Sequence, residues 1–462
     1  MKRHRLRKRL PLLFTLVAIL VGVLAYVIGL AYVQSRVYAH YEFIDLIRPR
    51  LVDAMIASWL IYFCSSIGSF LNVVAWRMPR GEGIGGRSHC PRCHSTLRKR
   101  DNVPILGWIS LRGRCRSCSL PISRRYPIVE ALVGITLTLV GISELYSLAI
   151  PAQAVHAHGG PLWAPRVGPI LITILTYHAV VLSCLWAMAL IRIDGVRLPA
   201  VLWLFSIAVA AVPMLVYPTL MVVPWQASRP DMWFPGGQRI DALMRLVTAV
   251  VAAAFVGRVL AKGLCPTADL KLDPLGKGTS RLIDLIAMLS MAAILVGWQS
   301  FPAIVVVTAM MSVLLRPLLA TIPINDRPGA AEQTNSGSAS QLESRGAMEA
   351  FAFALPFATT LHLAFWRTLW SFDYWPSDRS DRWVVISWSL AVLVVPVFLR
   401  DRSQRLPEQP PLDASEGYMI EGSDPEGSDP EGSDPEGSDP EGSDPEGSDP
   451  EGSEDVDQER ES

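Results

Sequence analysis

The chain has 462 residues, half of them hydrophobic, with only 18% charged and a mean hydropathy of +0.31. Soluble globular proteins average roughly 25% charged residues, and here the apolar surplus comes in long blocks separated by short basic loops. This excludes an ordinary soluble enzyme, a disordered chain and a disulfide-rich secreted domain, and points to a polytopic membrane protein. The 42 Lys and Arg balance the 42 Asp and Glu, but the bases sit near the front and in short loops while the acids gather in a repetitive tail. The zero net charge therefore says nothing about partners.

Residues 1–10 (MKRHRLRKRL) carry six Lys/Arg and precede an apolar run from Pro11 to Val33. Its length and the lack of a small-residue cleavage site read as an uncleaved anchor. Further spans are predicted at about 53–76, 127–149, 168–191, 198–223, 241–262, 282–299, 302–322, 349–366 and 383–400. Each is long enough to cross about 30 Å of hydrocarbon at about 1.5 Å per residue. The fold class is thus an all-α polytopic membrane protein of about ten transmembrane helices, with a small domain inserted after the second. The helices on either side of Gln299–Pro302 are joined by almost nothing and should form an antiparallel hairpin.

Basic residues set the orientation. With the N-terminus inside, segments 77–126, 192–197, 263–281, 323–348 and 401–462 also lie inside. Segment 77–126 alone carries 12 Lys/Arg, against nine in all the loops assigned outside. The expected parts are a basic anchor (1–52), a domain at 53–134 with its loop at 77–126, a membrane domain (135–322), a flexible linker (323–348), C-terminal membrane helices (349–400) and an acidic tail (401–462). The tail repeats EGSDP six times from Glu421 to Pro450. It has no apolar residue there to bury, so disorder is expected.

The main chemical signal is Cys90-Pro-Arg-Cys93, then 21 residues, then Cys115-Arg-Ser-Cys118. Two Cys-x-x-Cys pairs at this distance close a four-thiolate site. The orientation puts them in the cytoplasm, where disulfides are disfavoured. Six nearby Lys/Arg would stabilise four thiolates around a divalent ion, so a structural zinc in a zinc-ribbon-like module is expected. About 50 residues make a poor core, and a metal supplies the missing stability. Cys64, Cys184 and Cys265 read as small buried thiols. His156 and His158 read as ordinary loop residues. His178 and His362 stand alone in spans. Glu130, near a helix start, reads as a partner of Arg124 and Arg125 or as an acid facing the helix dipole. No nucleic-acid module is present, and the basic loop reads as a face for anionic membrane lipid.

An ordered string surrounds these cysteines: Gly68-Ser-Phe-Leu-Asn72-Val-Val-Ala-Trp-Arg77-Met-Pro79-Arg, the two cysteine pairs, Asp101-Asn-Val-Pro104, and Pro121-Ile-Ser-Arg-Arg125-Tyr-Pro127-Ile-Val-Glu130. From about 66 to 134 it resembles the N-terminal domain of type IV prepilin peptidases. The resemblance implies a membrane enzyme of the inner (cytoplasmic) membrane with two activities. It clips a basic leader from pilin-like precursors on the cytoplasmic face, then methylates the new N-terminus with S-adenosylmethionine.

An aspartic peptidase needs two carboxylates sharing a site, one ionised and one protonated. Asp194, in Ile-Arg-Ile-Asp-Gly-Val-Arg-Leu-Pro, matches the family's first motif with a spacer two residues short. With Leu-Pro held fixed and no gap, Arg192 falls on the catalytic position. Ala200 stands where the family has a second Asp. Asp269, in Ala-Asp-Leu-Lys-Leu, matches the later half of the Gly-x-Gly-Asp motif, with Pro266 and Ala268 in place of the glycines. The resemblance thus implies catalytic Asp194 and Asp269. Asp284, 14 residues before Trp298 of Gly297-Trp-Gln299, is the alternative second acid. The missing glycines support another reading, a non-catalytic membrane scaffold that keeps the zinc module.

Overall fold

Inside hydrocarbon every backbone N–H and C=O must be bonded within the protein, which an apolar chain achieves by coiling into helices. The computed structural model follows that rule. It describes residues 2–38, 40–90, 92–146, 168–221, 237–324, 345–378 and 380–400. Among the described residues there are thirteen α-helices and no strand.

Seven helices are long and apolar enough to cross a membrane. They are α1 (Lys2–Val37), α2 (Phe43–Arg77), α4 (Arg125–Leu145), α5 (Pro169–Arg192), α7 (Gly237–Leu264), α8 (Lys277–Val296) and α11 (Ala347–Ala364). Three apolar helices are shorter: α6 (Ala200–Val216), α9 (Phe301–Leu314) and α13 (Arg382–Phe398). The remaining helices are short connectors: α3 (Leu106–Leu111), α10 (Arg316–Thr321) and α12 (Trp366–Trp370). The ten predicted runs are all helical, but three fall short of a full crossing. Proline explains two of these. The run predicted at 302–322 stops at Leu314 and restarts as α10 with Pro317 in its first turn, where the missing N–H costs nothing. The α6 helix carries Pro213 and ends before Pro218.

The chain divides into two units, Met1–Pro407 and Glu408–Ser462. The EGSDP repeats belong to the second and lie outside the described residues, as do most of the predicted linker and the His156–His158 loop.

Three stretches are buried on all sides: Cys184–Asp194 on and after α5, Ala287–Val296 of α8, and Ala347–Pro356 of α11. A helix that is apolar all round belongs at the centre, and these form the core. The expected hairpin of α8 and α9 is not closely packed. Gly297 turns the chain at φ +85°, and α9 packs on α11 and α13 instead. His178 does not stand alone: it pairs with Glu144 of α4, both fully buried.

The α2–α4 contact matters most for the site, because it brings together the two ends of the cysteine loop. It is made by small residues. A Cβ on Gly68 would lie 2.9 Å from the Glu130 Cα and 3.1 Å from the Val133 Cβ. Near the loop, Asn72 Nδ2 donates to the Tyr126 carbonyl at 3.4 Å. Gly68→Leu should therefore force α2 and α4 apart and lower stability by about 2 kcal/mol, as overpacking does. A thermal unfolding scan in detergent would read this, with the conservative change Val133→Ala giving a milder loss.

Candidate metal centre and buried charge cluster

Between α2 and α4 the chain builds the same turn twice. Cys90 N–H donates to the Ser95 carbonyl, and Cys115 N–H to that of Leu120. His94 N–H returns to the Cys90 carbonyl, and Ser119 N–H to that of Cys115. His94 and Ser119, each just after the second cysteine of its pair, take positive φ of 54° and 60°. Isolated bridges, His89 with Thr96 and Arg114 with Pro121, close each turn at the same relative place.

The two turns face each other. All four Sγ atoms lie within 4.8 Å of one another, with Cys93–Cys115 at 3.9 Å and Cys90–Cys118 at 4.0 Å. Metal–sulfur bonds of about 2.3 Å in a tetrahedron set sulfur–sulfur edges of about 3.8 Å. Cys90, Cys93, Cys115 and Cys118 thus fit a tetrahedral ion with no position left for substrate. The Ser95 hydroxyl beside Cys93 lowers that thiol to about 6, toward the thiolate a metal needs.

Two carboxylates hold the loop outside the sulfur cluster. Buried Asp101 takes both Nε and Nη2 of exposed Arg116, at 2.8 and 2.5 Å. This bidentate contact holds its carboxyl below the usual range. Glu130 does not pair with Arg124 or Arg125. Its carboxylate accepts the Ile105 N–H at 2.6 Å and supports that β-branched residue at φ +61°.

Arg125, at the start of α4, is fully buried. It grips Asp194 through two nitrogens, at 2.7 and 2.9 Å, and also donates to the carbonyls of Leu190 and Pro323. Asp194 follows α5 in the loop Ile193–Leu198. Asp284 of α8 meets the same loop, accepting the Leu198 N–H at 3.2 Å. Arg192 lies 3.1 Å from Asp284 and 3.1 Å from Glu349 of α11. Arg281 also reaches Glu349, at 3.0 Å, and Arg345 donates to the Ile193 carbonyl at 2.9 Å.

Asp269 is half-buried in the turn before α8. Its carboxylate accepts the N–H groups of Leu272 and Lys271, which hold it below the usual carboxylate range. The acid that the structure brings to the Asp194 loop is Asp284. Glu349, Arg281 and Arg345 were missed from sequence. Glu349 had a readable signal, an acid inside an apolar run.

Residues 62–143 match the family model described as the bacterial peptidase A24 N-terminal domain. The match runs from α2 through both cysteine turns and into α4. Three relatives align well. A type 4 prepilin-like proteins leader peptide-processing enzyme of Escherichia coli O78:H11 is 44% identical over 95 residues, 16% of this chain and 35% of the relative. A prepilin leader peptidase/N-methyltransferase of Myxococcus xanthus is 41% identical over 115 residues, 22% and 34%. One of Klebsiella pneumoniae is 34% identical over 167 residues, 34% and 64%. Through this domain the chain is similar to the prepilin peptidase family. It covers less than two thirds of each of these relatives' length. No solved structure matches it.

The matched segment contains Gly68, the four cysteines, Asp101, Arg125 and Glu130. It therefore includes the donor set of the metal centre and the arginine that holds Asp194. Purified protein should carry one tetrahedral metal ion per chain. Cys115→Ser should abolish most of that content by atomic spectroscopy and open residues 87–120 to protease.

The Asp101–Arg116 contact gives a pH dependence. A carboxyl whose pKa is lowered by folding stabilises the fold above its unfolded value, and that contribution drains as pH falls through the folded value. Protease resistance of the loop should thus hold from pH 8 to about 5 and fall below about pH 4. Asp101→Asn should lower the plateau.

Proposed function

We propose that this protein processes pilin-like precursors at the cytoplasmic face of the inner membrane. The observation that carries this reading is the Arg125–Asp194 contact, in which an arginine of the matched domain holds the acid of the first peptidase-like motif. The relatives' names describe leader peptide processing and N-methyl transfer. In this reading residues 53–134 form the N-terminal domain, its cytoplasmic loop 77–126 is stapled by Zn2+, and that basic loop rests on anionic lipid. Residues 135–322 and 349–400 supply the membrane domain, and methylation draws on S-adenosylmethionine.

Cleavage would use two carboxylates beside the loop Ile193–Leu198. One takes a proton from water as its oxygen adds to the scissile carbonyl carbon. The other protonates the departing amine as the C–N bond breaks. Asp194 is the first. Asp269 has the better sequence match for the second, but Asp284 is the acid bonded to the Asp194 loop, and we assign the role to Asp284.

A second reading is favoured by one arrangement. Arg125 neutralises Asp194, and Arg192 neutralises Asp284 and Glu349. Each buried acid faces a guanidinium instead of sharing a proton with another acid. In that reading the protein is a catalytically degenerate scaffold that binds precursors without cutting.

Incubating the detergent-solubilised full chain with a pilin-like precursor, and following the leader by mass, separates the two. Processing predicts a clipped product, lost at least about 100-fold in Asp194→Asn and Asp284→Asn and retained in Asp269→Asn. Retained precursor binding without clipping, by folded and metal-loaded protein, selects the scaffold.

A further inference from the structure

A groove of about 1220 Å³ runs along the outside of the bundle between α2 and α6, floored by α5 and α4. Its first wall is a ridge on α2. Met55, Trp59, Phe63 and Phe70 recur at helical spacing and remain 49–64% exposed, so α1 does not cover them. Phe205 of α6, 56% exposed, stands on the other wall. The floor is different in kind. Thr176, Ala179, Ser183 and Ala187 of α5 line it in steps of three and four, with Gly141 of α4 beside them. The Ser183 hydroxyl donates to the Ala179 carbonyl at 2.6 Å, so it is bonded within its own helix.

Apolar surface alone does not choose between a lipid tail and a helix, because lipid is as apolar as leucine. Helices associate in membranes where small residues let backbones approach and large ones interdigitate at the sides. A floor of small residues between walls of large ones has that form. From Met55 to Val74 the α2 side of the groove covers about 28 Å at about 1.5 Å per residue, close to the hydrocarbon thickness. At one end the lining is Met78, Ile84 and Val201, and Val201 lies just beyond the loop Ile193–Leu198.

We propose that this groove seats one apolar transmembrane helix of the precursor, with the chain leaving that helix running onto the loop that carries Asp194. A close-packed helix needs a small-residue face of its own against α5. The groove therefore selects precursors by the packing of their membrane helix as well as by their leader. This rests on the reading that the protein handles pilin-like precursors, and the test separates the two.

The full chain would be produced in membranes together with a precursor, with a photo-crosslinking benzoylphenylalanine placed at one position at a time. Positions Phe63, Ala179 and Phe205 report the groove. Position Arg197, exposed on the Asp194 loop, reports precursor at the site. Position Phe255, exposed on α7 away from the groove, is the control. Crosslinks to the precursor's apolar helix are expected at the three groove positions and at Arg197, with none at Phe255. Ala179→Trp and Ser183→Phe, which fill the floor from a lipid-facing side, should each lower precursor retention at least about tenfold with an unchanged melting temperature.

Precursor crosslinked at Arg197 but not in the groove overturns the groove proposal and leaves the functional reading standing. Groove positions that capture only lipid or a second copy of this chain do the same. No precursor at Arg197 or in the groove removes both.

Discussion

A charge at the end of an apolar bundle has to be neutralised inside the protein, and Arg125 is where this chain meets that constraint. A buried guanidinium left without partners would cost several kcal/mol. Here it bonds to Asp194, to the last turn of α5 and to the carbonyl of Pro323. Two segments far apart in sequence, residues 190–194 and Pro323, are thereby fixed to the first residue of α4. Because α4 also closes the cysteine loop against α2, the loop is fixed to the bundle at the same point. The sulfur cluster and the ion pair divide the work. One holds the loop to itself, and the other holds it to the membrane helices.

The remaining charges follow the same rule. Arg192, Arg281 and Arg345 reach carboxylates of α8 and α11 or carbonyls near the ends of α5 and α10. Cations beside helix C-termini are favoured by the helix dipole, so Arg192 and Arg345 stabilise the ends of α5 and α10. The result joins the domain-bearing half, α2, α4 and α5, to α8 and α11. Helices α5, α8 and α11, each with a stretch buried on all sides, meet at this end.

Sequence patterning showed much of this. Apolar runs gave the seven described helices that are long and apolar enough to cross a membrane, because burial in lipid or in protein leaves the same signature of uninterrupted hydrophobic residues. The cysteine spacing gave the cluster of four thiols that could hold a metal, because a tetrahedral site needs paired ligands on tight turns. The span expected at 302–322 ran through the break at Arg316-Pro317, because hydropathy does not register a missing N–H. Pairings were less legible. Glu130 sits beside Arg124 and Arg125 in sequence, yet one helical turn carries it away to Ile105. His178 looked solitary because its partner, Glu144, belongs to another helix. The choice between Asp269 and Asp284 turned on the same point. The local string favoured Asp269, while the bond from Asp284 to the Leu198 N–H joins residues 86 apart.

The contact between Arg125 and Asp194 also sets an order of events during synthesis. Asp194 follows Arg125 by 69 residues, and Pro323 follows it by 198. At roughly 5–20 residues per second, the ribosome reaches the carboxylate about 3–14 s after the arginine, and the carbonyl about 10–40 s after it. Throughout that interval α4 carries a cation with neither partner yet made. Its first turn must wait among headgroups and water, and it reaches its final depth only when α5 has been threaded beside it. The insertion of the fourth helix is therefore completed by the fifth.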